Sequence, residues 1–131
     1  MKKITFSLIT VLATMVACSQ TNSNPVAPSD NVVYRLFPTE NVWTFIKLNT
    51  RNGQMWQVQY DVQGDNRGDN RGEVSLSSIS LVPRASETNG RFTLYPTQNM
   101  WTFILLDQID GNMWQVQWSK DANNRGIIPM D

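Results

Sequence analysis

Trp43 and Phe45 recur as Trp101 and Phe103, and a pair of glutamines, Gln57 and Gln59, recurs as Gln115 and Gln117. Flat apolar rings supply contact area at low entropic cost, and primary amides supply directional hydrogen bonds. Together they suit recognition of a sugar ring and its hydroxyls. On one face these eight residues would form a ligand platform. On opposite faces the glutamines become a solvent-facing ladder and the aromatics become packing. Other chemistry has little to work with. The chain has no histidine and one cysteine, Cys18, which excludes Cys-His, Ser-His-Asp and His-rich zinc arrangements. Asp107 and Asp110 could serve as acid and base, but the positions 58 residues earlier are Asn49 and Asn52. An amide cannot take a proton, whereas Asn and Asp are interchangeable as turn formers. No catalytic residue, metal site or cofactor is expected.

Asp61, Asp65, Asp69 and Glu73 recur every four residues in DVQGDNRGDNRGE, a run that could ligate a hard cation. The spacing is not that of an EF-hand, and Arg67 and Arg71 neutralise half the charge, so a solvated, recently lengthened loop is the simpler reading. Arg67, Gly68 and Asp69 resemble the RGD tripeptide read by integrins. Tandem duplication of DNRG creates that tripeptide at its junction without any selection for binding.

The candidate residues lie inside a duplication. Sliding the chain by 58 residues aligns 34–60 with 92–118 and leaves 15 of the 27 positions identical, too many for chance. Each copy reads as four short strands. The first spans 33–37 and 92–95 and stops at Pro38 and Pro96, where a ladder donor is missing. The second, 42–50 and 100–108, is rich in β-branched and aromatic residues. The third spans 54–60 and 112–118, and the fourth is EVSL from Glu73 or IIPM from Ile127. No stretch keeps a 3.6-residue period. A single copy of about 45 residues is too small to stand alone, so both should share one core. The expected fold is all-β, with pseudo-symmetric antiparallel repeats 32–76 and 91–131 forming one β-sandwich or small open barrel.

Which residues share a face depends on the hairpin turn. Gly53 and Gly111 require positive φ, and a three-residue loop of type I geometry ending in a left-handed glycine fits 51–53 and 109–111. Thr50 would then pair with Gln54. That register sends Trp56, Val58, Tyr60, Trp114, Val116 and Trp118 to the core. It gathers Trp43, Phe45, Gln57 and Gln59, and their counterparts Trp101, Phe103, Gln115 and Gln117, on the opposite face. A four-residue loop would reverse the parity and set Trp43 beside Trp56 in one aromatic core.

Upstream of the repeats, Met1, Lys2 and Lys3 precede an apolar run from Ile4 to Val16, then Ala17 and Cys18. This is the pattern of an export signal, too short to span a bilayer. The segment MVAC, 15–18, resembles the lipobox of bacterial lipoproteins. That resemblance implies removal of residues 1–17 by signal peptidase II, diacylglycerol on the Cys18 thiol and a palmitate-type acyl chain on its amine. At about 0.8 kcal/mol per buried CH₂, several such chains anchor a protein durably to a membrane. After Cys18, residues 19–31 read SQTNSNPVAPSDN, so 18–31 is the lipidated cysteine with a polar tether that has two prolines. Loss of Lys2 and Lys3 leaves nine basic against 11 acidic residues, a mature net charge of −2 that gives no electrostatic case for nucleic acid.

The paired blocks LFPTENVWTFIKLNTRNGQMWQVQY and LYPTQNMWTFILLDQIDGNMWQVQW also resemble small lipoproteins of Bacteroidetes that carry tandem repeats of this kind. That resemblance implies an envelope protein and brings no catalytic residue with it. SQTNSN lacks the acidic residues that follow the lipidated cysteine in surface-exported proteins of such bacteria, which favours an outer-membrane anchor facing the periplasm. The function expected is a non-enzymatic envelope lipoprotein with a binding face for glycan or envelope polysaccharide. The alternative is a protein-interaction lipoprotein, such as an inhibitor, an immunity factor or a subunit of an envelope complex.

Overall fold

Prolines and turn-forming amides cut each repeat into a four-strand antiparallel meander. The computed structural model describes residues 32–60 and 71–130. The signal segment, Cys18, the tether, and the loop carrying Asp61, Asp65, Arg67, Gly68 and Asp69 lie outside the described residues. Strands β1 (Tyr34–Pro38), β2 (Thr44–Asn49), β3 (Met55–Gln59) and β4 (Gly72–Ser77) form one sheet in that order. Strands β5 (Phe92–Pro96), β6 (Thr102–Asp107), β7 (Met113–Gln117) and β8 (Gly126–Met130) form the second in the same way. Short 3₁₀ turns at Arg84–Ser86 and Ala122–Asn124 are the only helical elements among the described residues. Pro129 lies in the edge strand β8, where the missing donor costs no ladder bond.

The shared P-T-x-N-x-W motif builds the first hairpin of each repeat. The Thr39 hydroxyl donates to the Thr44 carbonyl (2.9 Å) and accepts from the Asn41 N–H (3.1 Å), and Asn41 Oδ1 accepts from the Trp43 N–H (2.9 Å). Thr97, Asn99, Trp101 and Thr102 repeat all three bonds. The Thr and Asn side chains thus satisfy turn amides that no strand reaches. The Pro, Thr and Asn that both repeats keep here are explained as turn formers.

The second hairpin corrects the expected register. Asn49 donates its N–H to the Gln54 carbonyl, and Gly53 donates to the Asn49 carbonyl, so the loop has four residues, 50–53. Asp107, Asn112 and Gly111 repeat this arrangement. The cause is the residue that opens the turn: Asn49 Oδ1 accepts from the Arg51 N–H, and Asp107 Oδ1 accepts from the Ile109 N–H. This Asx turn starts the loop one residue earlier than the glycine alone implies, while Gly53 and Gly111 still supply the left-handed step at φ +79°. In the resulting ladder Phe45 pairs with Val58, Lys47 with Trp56, and Ile46 with Gln57. The second repeat pairs Phe103 with Val116, Leu105 with Trp114, and Ile104 with Gln115.

With this register the two sheets do not bury equivalent faces. The first contributes Ile46, Leu48 and Met55 to the core, with Phe37 packed against them. The second contributes Phe92, Leu94, Phe103, Leu105, Val116 and Trp118. In the alternating pattern these belong to opposite sides of the repeat, so the back of sheet one lies on the front of sheet two. Both Pro-Thr turns line the same small crevice at one end, together with Met100 and Phe103. The sheets are therefore stacked in nearly the same orientation, related by a translation along their normal rather than by a two-fold axis. Three substitutions between the repeats follow this asymmetry. Tyr34, Lys47 and Tyr95 stand on outer faces where their inward counterparts are Phe92, Leu105 and Phe37.

Thr50 joins the stack. It is fully buried, its N–H donates to the Val33 carbonyl, its carbonyl accepts from the Phe92 N–H, and its hydroxyl accepts from the Gly90 N–H. The linker then lies over the first hairpin loop, with the Leu81 N–H donating to the Asn52 carbonyl.

Candidate binding faces

The outer face of sheet one is organised around Lys47. Its ammonium pairs with Glu73 and sits 4.6 Å from the Trp56 ring centroid and 5.7 Å from that of Tyr34. Trp43 and Tyr60 meet edge to face at 5.7 Å, and Phe45 lies 6.0 Å from Tyr60. Tyr34, Leu36, Trp43 and Tyr60 are all exposed. The face is thus an apolar, ring-rich surface carrying one internally compensated charge pair. Alternation puts Tyr34 and Leu36 on the side of Lys47 through their pairing with Asn49 and Lys47. Tyr34 and Lys47 are not candidates in the sequence, where Glu73 enters only as the last acid of the DVQGDNRGDNRGE run, although the Tyr34/Phe92 and Lys47/Leu105 differences carry the signal.

The platform expected from the sequence does not assemble. Trp43 and Phe45 lie on the outer face, whereas Gln57, opposite Ile46, points into the core and is only 4% exposed. Gln59, opposite Thr44, shares the Gln57 side. In the second repeat Phe103 is 3% exposed and belongs to the core, while Gln115 and Gln117 are half-buried on the opposite, outer face. Trp101 packs against the buried Trp118, with ring centroids 4.5 Å apart and the planes tilted by 45°. The indoles of Trp43 and Trp101 are nevertheless 39% and 38% exposed and are not sealed inside with Trp56 and Trp114. The expected core set also divides. Val116 and Trp118 are buried, but Trp56, Val58 and Tyr60 belong to the outer face of sheet one. Parity separates the rings from the glutamines, because the extra loop residue turned each third strand over relative to its partner. The core set divides because the two sheets bury opposite sides of the repeat.

Gln115 and Gln117 line a shallow depression of about 350 Å³ with Asn123, Asn124, Arg125 and Ile128. It offers amides and a guanidinium and has no ring in its lining.

Asp107 is a structural carboxylate. It accepts two bonds from the buried Arg91 guanidinium, at 3.0 and 2.8 Å, and further bonds from the Ile109 and Asp110 N–H groups. Burial pushes its pKa up, but the Arg91 hydrogen bonds, the two turn amides and the Arg91 charge outweigh that and hold it below the usual value. Arg91 in turn is raised, chiefly by its hydrogen bond to Asp107. A buried carboxylate held ionised by four donors is a fixed structural anion that a substrate does not reach. Asp110 contributes a second carboxylate to Arg91 from the exposed side. Among the described residues no group of three or more His, Cys, Asp or Glu side chains converges as a metal site would require.

Compared with protein-family models, curated proteins and solved structures, the chain matches none.

Proposed function

We propose that this protein is a non-enzymatic lipoprotein of the cell envelope, anchored through Cys18 to the periplasmic side of the outer membrane, whose first sheet contacts a protein partner. The supporting observation is the outer face of sheet one, where Tyr34, Leu36, Trp43 and Tyr60 meet solvent at positions whose counterparts in sheet two are, except for Trp101, buried core. Large exposed rings in one patch are the usual anchors of protein interfaces. A glycan platform is less well supported on this face because Gln57 and Gln59 turn away from the rings.

The depression at Gln115, Gln117 and Arg125 favours a second reading, capture of a polar ligand such as an envelope polysaccharide, by amides alone. A photo-crosslinking residue at Tyr34 of the full-length lipoprotein in intact cells separates the two. Protein adducts from Tyr34 that vanish with Trp43→Ala support the contact face. Binding of polysaccharide that is insensitive to Trp43→Ala but lost with Gln117→Ala would replace it with the second reading.

A further inference from the structure

The front-to-back stack leaves two unlike outer faces, and each corresponds by repeat to one half of the interface already formed inside the molecule. The outer face of sheet one carries Tyr34, Leu36 and Tyr60, whose counterparts Phe92, Leu94 and Trp118 form sheet two's half of the core. The outer face of sheet two carries Tyr95, Ile104 and Met113, whose counterparts Phe37, Ile46 and Met55 form sheet one's half. We infer that the partner of the sheet-one face is a second copy of this chain, docking through the outer face of its sheet two and repeating the internal packing. This rests on the reading of the sheet-one face as a protein contact surface and names its occupant.

A face-to-face sandwich would use up its apolar surfaces in pairs. A translational stack cannot, because every added sheet presents the same unpaired front that it covers. Such a contact is heterologous, joining unlike faces, and propagates head to tail unless its rotation closes a ring. The outer faces are more polar than their internal counterparts: Tyr34 replaces Phe92, Lys47 replaces Leu105, and Tyr95 replaces Phe37. Lys47 brings its own counter-ion in Glu73, so docking does not strand an unpaired ammonium. The intermolecular stack is accordingly weaker than the internal one and reversible.

Two substitutions at exposed positions block one face each: Leu36→Glu on sheet one and Met113→Glu on sheet two. Full-length lipoprotein is followed by sedimentation velocity in density-matched detergent, with circular dichroism and urea midpoints recording that each variant is folded. Wild type should give a series of oligomers growing with concentration, and each variant alone should self-associate roughly tenfold or more weakly. A one-to-one mixture of the two should give a complex of one copy of each and nothing larger, because only their unblocked faces are complementary. Tyr34→Glu and Tyr95→Glu replace either variant that fails to fold. The inference is overturned if folded wild type stays monomeric, or if Met113→Glu alone forms dimers, which would mean that like faces pair. If wild type is monomeric while Tyr34 still crosslinks to another envelope protein, self-stacking fails and the contact-face reading stands. Absence of both removes both.

Discussion

Met55 and Met113 occupy the same repeat position in the same MWQVQ sequence, yet the first is fully buried and the second is 41% exposed. Truncating each to alanine therefore measures which face each sheet buries. Met55→Ala removes a thioether side chain from the sheet–sheet interface and leaves a cavity, at a cost of about 2–5 kcal/mol. Met113→Ala shortens a side chain at the open outer face, where no enclosed cavity is left, and should cost about 1 kcal/mol or less. The inequality must reverse on the other side of the strand. Val116 is buried and Val58 only half-buried, so Val116→Ala should be the more damaging of that pair. Urea denaturation reads both comparisons. With a slope of about 1.5 kcal/mol/M, a loss of about 3 kcal/mol lowers the midpoint by about 2 M, provided the slope is unchanged. Equal losses at Met55 and Met113, or a larger loss at Val58 than at Val116, would refute front-to-back stacking, because a two-fold sandwich makes each pair equivalent.

Three further outcomes are expected. Gln57 Oε1 is buried and has no hydrogen-bond partner among the described residues, so Gln57→Leu should raise stability by about 1–2 kcal/mol, read as a higher urea midpoint. Gly53 and Gly111 share φ +79°, but a Cβ at Gly53 would lie 2.7 Å from Leu81 Cδ1 whereas Gly111 faces open space. Both alanine variants bear a left-handed penalty of about 1–2 kcal/mol, and Gly53→Ala should lose measurably more in thermal unfolding; equal losses would mean that Leu81 moves aside. Asp107 is held below the ordinary carboxylate pKa, so its contribution is complete above about pH 4 and lost as pH falls through the folded value. The stability gap between wild type and Asp107→Asn should therefore be widest near neutrality and close in acid. A gap that does not change with pH would assign Asp107 a packing role alone.

The strands were legible because prolines, β-branched runs and the repeat all mark the same boundaries, and the shared core followed from size. Facing was harder to read, since a single residue of loop length inverts it and the glycine signal competes with the Asx signal at Asn49 and Asp107. The alternative four-residue loop held the correct parity. Stacking was hidden for a different reason: WTFI and MWQVQ are identical in both copies, yet Ile46 is core while Ile104 is not, and Val116 is core while Val58 is not. Alternation within one repeat cannot say which side a neighbour covers. Only the divergent positions record it, and there the more polar residue of each pair, Tyr34, Lys47 or Tyr95, marks the outward side. Arg91 escaped notice because its counterpart is the unremarkable Val33, and its ion pair depends on a residue 16 positions away.

Thr50 has a mechanical consequence. The chain enters the first sheet at Val33, whose carbonyl is held by the Thr50 N–H, and the Thr50 carbonyl holds Phe92 at the start of the second. Tension arriving from the amino-terminal side therefore meets a buried clamp before it reaches the edge strand β1. There Thr50 holds Val32 and Val33 on one side and Gly90 and Phe92 on the other, so the first grip on the pulled chain is also the joint between the two halves.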